Sequence, residues 1–138
     1  MRLKTENIFQ VIEIDASPTS IYNTYLDEKK HAEFTGMKAS IDPIEGGLFE
    51  TCNGRNKGYH LSLEKGKRIV LAWTHIDYPA LQYSIVDITL EKISGGTRVH
   101  FNHLAVPESC DGWLTEGWQK VYWGPLKHFM EKKKVAKV

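Results

Sequence analysis

His100 and His103 stand three residues apart, the spacing of a short metal-ligand pair. On a strand, residues three apart point to opposite faces, so the two rings cannot hold one ion without a bulge. His31, His60, His75 and His128 are scattered and lack the i, i+4 pairing that would set two rings on one helix face. Cys52 and Cys110 are remote from each other and form no Cys-x-x-Cys pair or disulfide framework. Cys110 precedes a helical pattern whose dipole would favour a thiolate, but a lone cysteine there reads first as an exposed or half-buried thiol. No Gly-x-Ser-x-Gly elbow is present, and the glycine pairs at 46–47 and 95–96 lack the lysine and hydroxyl residue of a phosphate loop. Glu45, Glu50, Asp87 and Glu91 read as solvated strand positions, with no two fixed as an acid–base pair. No catalytic residue, metal ligand or cofactor is therefore expected, and the residues lean away from an enzyme.

The aromatic residues suggest binding instead. Trp73, Tyr83, Phe101, Trp118 and Tyr122 fall on predicted strands or on the stripe of a predicted helix. Core packing is the first role of such residues. A pocket with mostly apolar walls and a few polar anchors is the sharper one. His103 shares a face with Val99 and Phe101, as a satisfied core histidine or as a hydrogen-bond anchor for a ligand. The candidate pocket is Trp73, Tyr83, Phe101, His103, Trp118 and Tyr122.

The elements that would position these residues follow from periodicity. Asn7 to Asp15 alternates as a strand, with Ile8, Gln10, Ile12 and Ile14 on one face. Ser17 and Pro18 read as N-cap and first residue of a helix running to Leu26. A second short helix, Asp27 to Phe34, stops at Gly36. Strands are predicted at Lys38–Ile41, Leu48–Cys52, Gly58–Leu63, Arg68–His75, Gln82–Lys92 and Thr97–Leu104. Asn53-Gly54 is the signature of a two-residue turn, and Tyr59, Leu61 and Leu63 share one face. On the fifth of these strands Ser84, Val86, Ile88 and Leu90 oppose Tyr83, Ile85 and Asp87. The longest helical stretch is Asp111 to Lys134, which carries Trp113, Trp118 and Trp123. Its stripe is Leu114, Trp118, Val121, Tyr122, Pro125 and Phe129. Gly124-Pro125 predicts a kink near Pro125, with Trp118 and Tyr122 before it, Phe129 and Met130 after it, and the pocket beneath the bend. Hairpin turns imply an antiparallel sheet, and the last helix is the one element large enough to cover its buried face.

The totals narrow the class. The chain of 138 residues reads as one domain, 1–138, with no repeat or linker. Lys and Arg total 18 against 17 Asp and Glu, a net charge of +1 that argues against broad binding to nucleic acid. The basic run from Lys132 to Lys137 reads as a solvated helix end. No signal-peptide run and no apolar stretch of about 20 residues is present, which with two unpaired cysteines predicts a cytoplasmic protein without a membrane span.

Taken in order, Pro18–Leu26 (PTSIYNTYL), His31–Gly36 (HAEFTG), Ile44–Phe49 (IEGGLF), Gly66–Trp73 (GKRIVLAW), Gly96-Thr97 and Gly117–Leu126 (GWQKVYWGPL) form a series. It resembles the family homologous to the C-terminal domain of the activator of the 90-kDa heat-shock protein ATPase, of START-like (SRPBCC) superfamily type. The resemblance implies an α+β helix-grip fold: a curved antiparallel sheet of about six or seven strands wrapped round a long C-terminal helix, with two short helices after the first strand. In eukaryotic members this domain is one half of a co-chaperone, and the half with the main chaperone docking has no counterpart here. A single domain of this kind resembles bacterial members. Three readings stay open: a non-enzymatic domain binding a small hydrophobic or amphipathic ligand, a stress-related activator of a heat-shock protein ATPase, or a cyclase or hydrolase using the same cavity. The partners these imply are a small ligand or a chaperone, with the chain a monomer or homodimer.

Overall fold

β1 (Thr5–Ile14) buries Ile8 and Ile14 and leaves Phe9 and Val11 exposed, the alternation its sequence dictates. In the computed structural model, which describes residues 2–136, two short helices follow. In α1 (Pro18–Leu26) the Ser17 side chain accepts the Ser20 N–H and proline takes the first turn. In α2 (Glu28–Thr35) Asp27 caps the start and Gly36, at φ 72°, closes the end.

Strands β2 (Ser40–Ile41), β3 (Leu48–Thr51), β4 (Asn56–Glu64), β5 (Arg68–His75), β6 (Ser84–Ile93) and β7 (Gly96–Pro107) complete a seven-stranded sheet. Its order is β1-β7-β6-β5-β4-β3-β2, and every neighbouring pair is antiparallel. The fold is therefore α+β and helix-grip, as the sequence implies. The inner face carries Ile69, Leu71 and Trp73 of β5, Ser84, Val86, Ile88 and Leu90 of β6, and Val99, Phe101 and His103 of β7, all buried.

The structure departs from the sequence pattern at two places. Asn53-Gly54 is not a two-residue turn, because Thr51 pairs with Asn56 and the loop is 52–55. Cys52, Asn53 and Gly54 all have positive φ (53°, 60° and 82°), which turns the Cys52 thiol into the core. Tyr59, Leu61 and Leu63 do not share a face either. The register shifts between His60 and Ser62, so His60 and Leu63 oppose the inward Leu71 and Ile69, while Tyr59 faces outward.

The C-terminal helix comprises α3 (Asp111–Gly117), a π-helical turn (Trp118–Trp123) and α4 (Gly124–Ala136). Its buried residues include Leu114, Trp118, Tyr122, Leu126 and Met130, one every four. On a regular α-helix each step of four overshoots one turn by about 40°. Four such steps would carry Met130 to the back of the helix. The wide turn absorbs the excess, with the Gly124 N–H reaching the Gln119 carbonyl five residues back. It also brings Tyr122 and Trp123 inside together. The stripe thus passes through Leu126 and Met130, whereas Val121, Pro125 and Phe129 are only half-buried. The helix does not break at Pro125. It runs on to Ala136, and the irregularity lies one turn earlier. Of the basic run at its end, Lys137 lies outside the described residues. Among the described residues, no helix is long and apolar enough to cross a membrane.

Gly58 fixes how tightly β3, β4 and β5 stack. A Cβ there would overlap the Ala72 carbonyl oxygen and stand 2.9 Å from the Phe49 ring. Gly58→Ala should destabilise the fold by about 2–4 kcal/mol, read as a lowered urea midpoint with unchanged slope.

Candidate functional site

Three histidines are sealed inside the protein: His31, His60 and His103 are each 2% exposed or less. His103 lies under the helix at the centre of the aromatic cluster. Trp118 Nε1–H donates to its Nδ1 at 3.0 Å, so the neutral ring carries its proton on Nε2. That proton is directed at Ser84 Oγ, 2.7 Å away. Ser84 in turn donates to the Trp73 carbonyl at 3.2 Å and lies 2.9 Å from the Tyr78 hydroxyl. Every polar atom in this chain of contacts has a partner, so His103 is a structural anchor. Burial pushes its pKa down to about 3.

A second polar chain centres on Tyr122. His31 Nδ1–H donates to the Tyr25 carbonyl at 2.7 Å, which leaves Nε2 to accept from the Tyr122 hydroxyl at 3.0 Å. The same hydroxyl lies 3.2 Å from Thr51 Oγ1 and 3.5 Å from Cys52 Sγ. Burial lowers the His31 pKa to about 4, partly opposed by the Tyr25 carbonyl. Burial also raises Cys52 and Tyr122, keeping both protonated.

Of the six candidate pocket residues, five come together. Trp73 meets His103 edge-on at 4.8 Å, and Trp118 packs on Phe101 at 4.5 Å and on Tyr122 at 4.6 Å. Tyr83 is not with them. It is 51% exposed on the outer face, opposite the inward Ser84, beside Leu48 and Tyr59. Phe101 and His103 are 0% exposed and form the packed floor.

Open space remains beside them. A cleft of about 180 Å³ lies between β4, β5 and the start of the C-terminal helix. Its walls include Trp73, Trp113, Leu114, Trp118 and Tyr122. It sits beside residues 113–122, ahead of Pro125, and not beneath a bend at that proline. Of the twelve residues that line it, only Trp73, Trp118 and Tyr122 belong to the pocket expected from the sequence; the others include the polar Arg55, Asn56 and His75 and the aromatic Trp113. His75 Nδ1 accepts the Asp77 N–H at 3.0 Å, so its neutral ring offers an Nε2–H. Trp113, 41% exposed, packs on the His75 ring at 4.7 Å. The only sign of these roles in the chain is their position at strand and helix ends that the fold brings together. Gly117 also lines the cleft, and a Cβ built on it meets nothing within 4 Å.

Cys110, read as an exposed or half-buried thiol, is 3% exposed and so unavailable to solvent chemistry. His100 and His103 do point to opposite faces: His100 lies outside, 2.9 Å from Glu91 Oε1. The groups around the cleft are neutral hydrogen-bonding groups apart from Arg55. Burial lowers His75 and raises Cys52, so neither a cationic imidazole nor a thiolate is favoured there.

A helix-grip fold closed over a cleft of this kind defines a START-like domain. Residues 15–131 match the model of the activator of Hsp90 ATPase homolog 1-like protein family, and the chain belongs to that family. The chain is 20% identical over 117 residues to the mouse activator of 90 kDa heat shock protein ATPase homolog 2, covering 85% of this chain and 35% of that protein. It is 26% identical over 118 residues to the Dictyostelium discoideum homolog, covering 84% and 30% respectively. The chain thus spans about a third of the length of the curated relatives it matches. Among solved structures it resembles an HSP90 activator from Plasmodium falciparum (TM-score 0.80, 20% identity, 84% of this chain and 89% of that one). It also resembles an Aha1 dimer from Colwellia psychrerythraea (TM-score 0.79, 22% identity, 91% and 96%).

The buried histidines set a pH dependence. Their folded pKa values lie below the ordinary 6.5, so the unfolded chain takes up protons first as pH falls. The stability they confer is complete above about pH 6.5 and declines from there to about pH 4 for His31 and about pH 3 for His103. Within the window each removes about 1.4 kcal/mol per pH unit. Urea midpoints should fall steadily from pH 6.5 to pH 4; a flat profile would contradict the assignment.

Proposed function

We propose that this chain is a non-enzymatic binding domain whose aromatic cleft takes a small molecule with one apolar ring or short chain and a polar end. The observation that carries this reading is the pairing of aromatic walls with a polar side formed by Asn56, His75 and Arg55. Size decides the ligand class. Drug-sized ligands occupy sites of about 300–1,000 Å³, whereas a cavity of about 150 Å³ holds a single benzene ring. The cleft, at about 180 Å³, fits the smaller class and not a lipid chain.

Gly117→Leu provides the test. A Cβ at this lining position meets no other atom within 4 Å, so a larger side chain starts in open space and takes up cleft volume, and replacing glycine within a helix favours the fold by up to about 1 kcal/mol. Screening single-ring acids and phenols by thermal shift should give ligands that raise Tm for the parent chain and not for Gly117→Leu. Ligands that stabilise both equally would place binding elsewhere. No shift with any single-ring compound would remove the reading.

Family membership favours a second reading, activation of a 90-kDa heat-shock protein ATPase, because relatives bear that name. Measuring the ATPase rate of such a chaperone with saturating chain decides it: a several-fold rise supports activation, and an unchanged rate excludes it.

A further inference from the structure

At the opposite end of the sheet from the cleft lies a groove of about 790 Å³ that shares no lining residue with it. Its walls are the start of α1, the β4–β5 turn and the β6–β7 hairpin, with Lys30 of α2 and Met130 of α4 beside them. Lys30, Lys65, Lys67 and Lys92 all line it. Elsewhere, Lys57, Arg68, Arg98, Lys120 and Lys127 each sit against a carboxylate. Among the described residues, the four groove lysines have no such partner. One carboxylate, Asp15, stands on the rim against four ammonium groups. A chain of net charge +1 therefore concentrates unneutralised positive charge in one concavity.

Hydrogen-bond donors converge on the same space. Ser17 Oγ accepts the Ser20 N–H at 3.1 Å and donates to Ser20 Oγ at 2.9 Å, which leaves the Ser20 hydroxyl proton undirected. The Thr19 N–H, in the first turn of α1, has no intrahelical acceptor. Thr24 is the independent sign. It is 2% exposed and lines the groove, and its hydroxyl has no hydrogen-bond partner among the described residues. That hydroxyl is open to the groove rather than sealed, and so is free to donate to an anionic oxygen there. The frame is tight as well. Gly66, at φ 71°, holds the β4–β5 turn so close to α1 that a Cβ there would stand 2.9 Å from Thr19 Oγ1. The backbone that carries Lys65 and Lys67 is thereby held beside the helix start.

We infer that this groove binds a small anion carrying at least two phosphoryl groups. Lysines act as mobile point charges that suit phosphate oxygens, while the helix start and the hydroxyls give directed bonds. A single carboxylate would engage two of the four lysines and leave the others facing empty space. The phosphoryl groups belong either to a free phosphate ester or to a phosphorylated lipid headgroup.

Calorimetric titration with tripolyphosphate tests the site. The parent chain should bind, and more weakly as salt rises. The triple variant Lys65→Gln/Lys67→Gln/Lys92→Gln should lose about tenfold or more in affinity. Thr24→Val should weaken binding several-fold while leaving the Tm of the free chain equal or higher, since no existing bond is removed. Cosedimentation with phosphatidylcholine vesicles containing phosphatidylinositol bisphosphate assigns the phosphates to a headgroup. Tripolyphosphate binding without cosedimentation assigns them to a free ester. The inference is overturned if no binding heat is seen or if the triple variant binds equally. It is equally overturned if Lys57→Gln/Lys120→Gln, which removes charge elsewhere, weakens binding as much.

Discussion

A helix whose buried residues recur every four positions cannot lie flat on a sheet unless it takes up an extra residue. Leu114, Trp118, Tyr122, Leu126 and Met130 impose that spacing, and the wide turn at Trp118–Trp123 answers it. Without the turn, either Trp118 or Met130 would leave the core. The sheet face beneath is equally committed, because the fully buried Phe101 packs directly against Trp118 and Trp123 of this turn.

The same turn supplies the polar ties. Trp118 donates to His103 and through it reaches Ser84 of β6, while Tyr122 reaches His31 of α2 and Thr51 of β3. Two residues four apart thus clasp the two flanks of the domain. Their neighbours are neutral histidines, so the clasp depends on hydrogen bonds whose partners exclude water. This explains how a pocket-like arrangement of aromatics becomes mostly floor, with open space left on the side that Gly117 and Asn56 line.

Much of the fold was legible because alternation and caps act locally. Ser17-Pro18, Gly36 and the β6 alternation each mark one element by its own chemistry, and β5 matched its predicted bounds. The bulge at Leu61 and the long loop at 52–55 were not legible, since each depends on which residue the neighbouring strand presents. After Tyr122 the buried stripe lies one residue later than a regular helix would set it, at Leu126 and Met130 rather than Pro125 and Phe129, because the repeat of four takes a wider turn. Of the site, the buried aromatics were readable from their faces. Tyr83 was misassigned although its own strand sets it opposite Ser84. His31 and Ser84 were missed as polar positions on otherwise apolar faces, a signal present in the chain but weak until partners are known.

The glycine at 117 that leaves the cleft open has company: Gly112 and Gly124 lie in the same helix, and Pro125 follows. Each glycine disfavours helix by about 1 kcal/mol relative to alanine, and proline does so more strongly. Such a segment has little tendency to coil on its own and takes its shape from the sheet it covers.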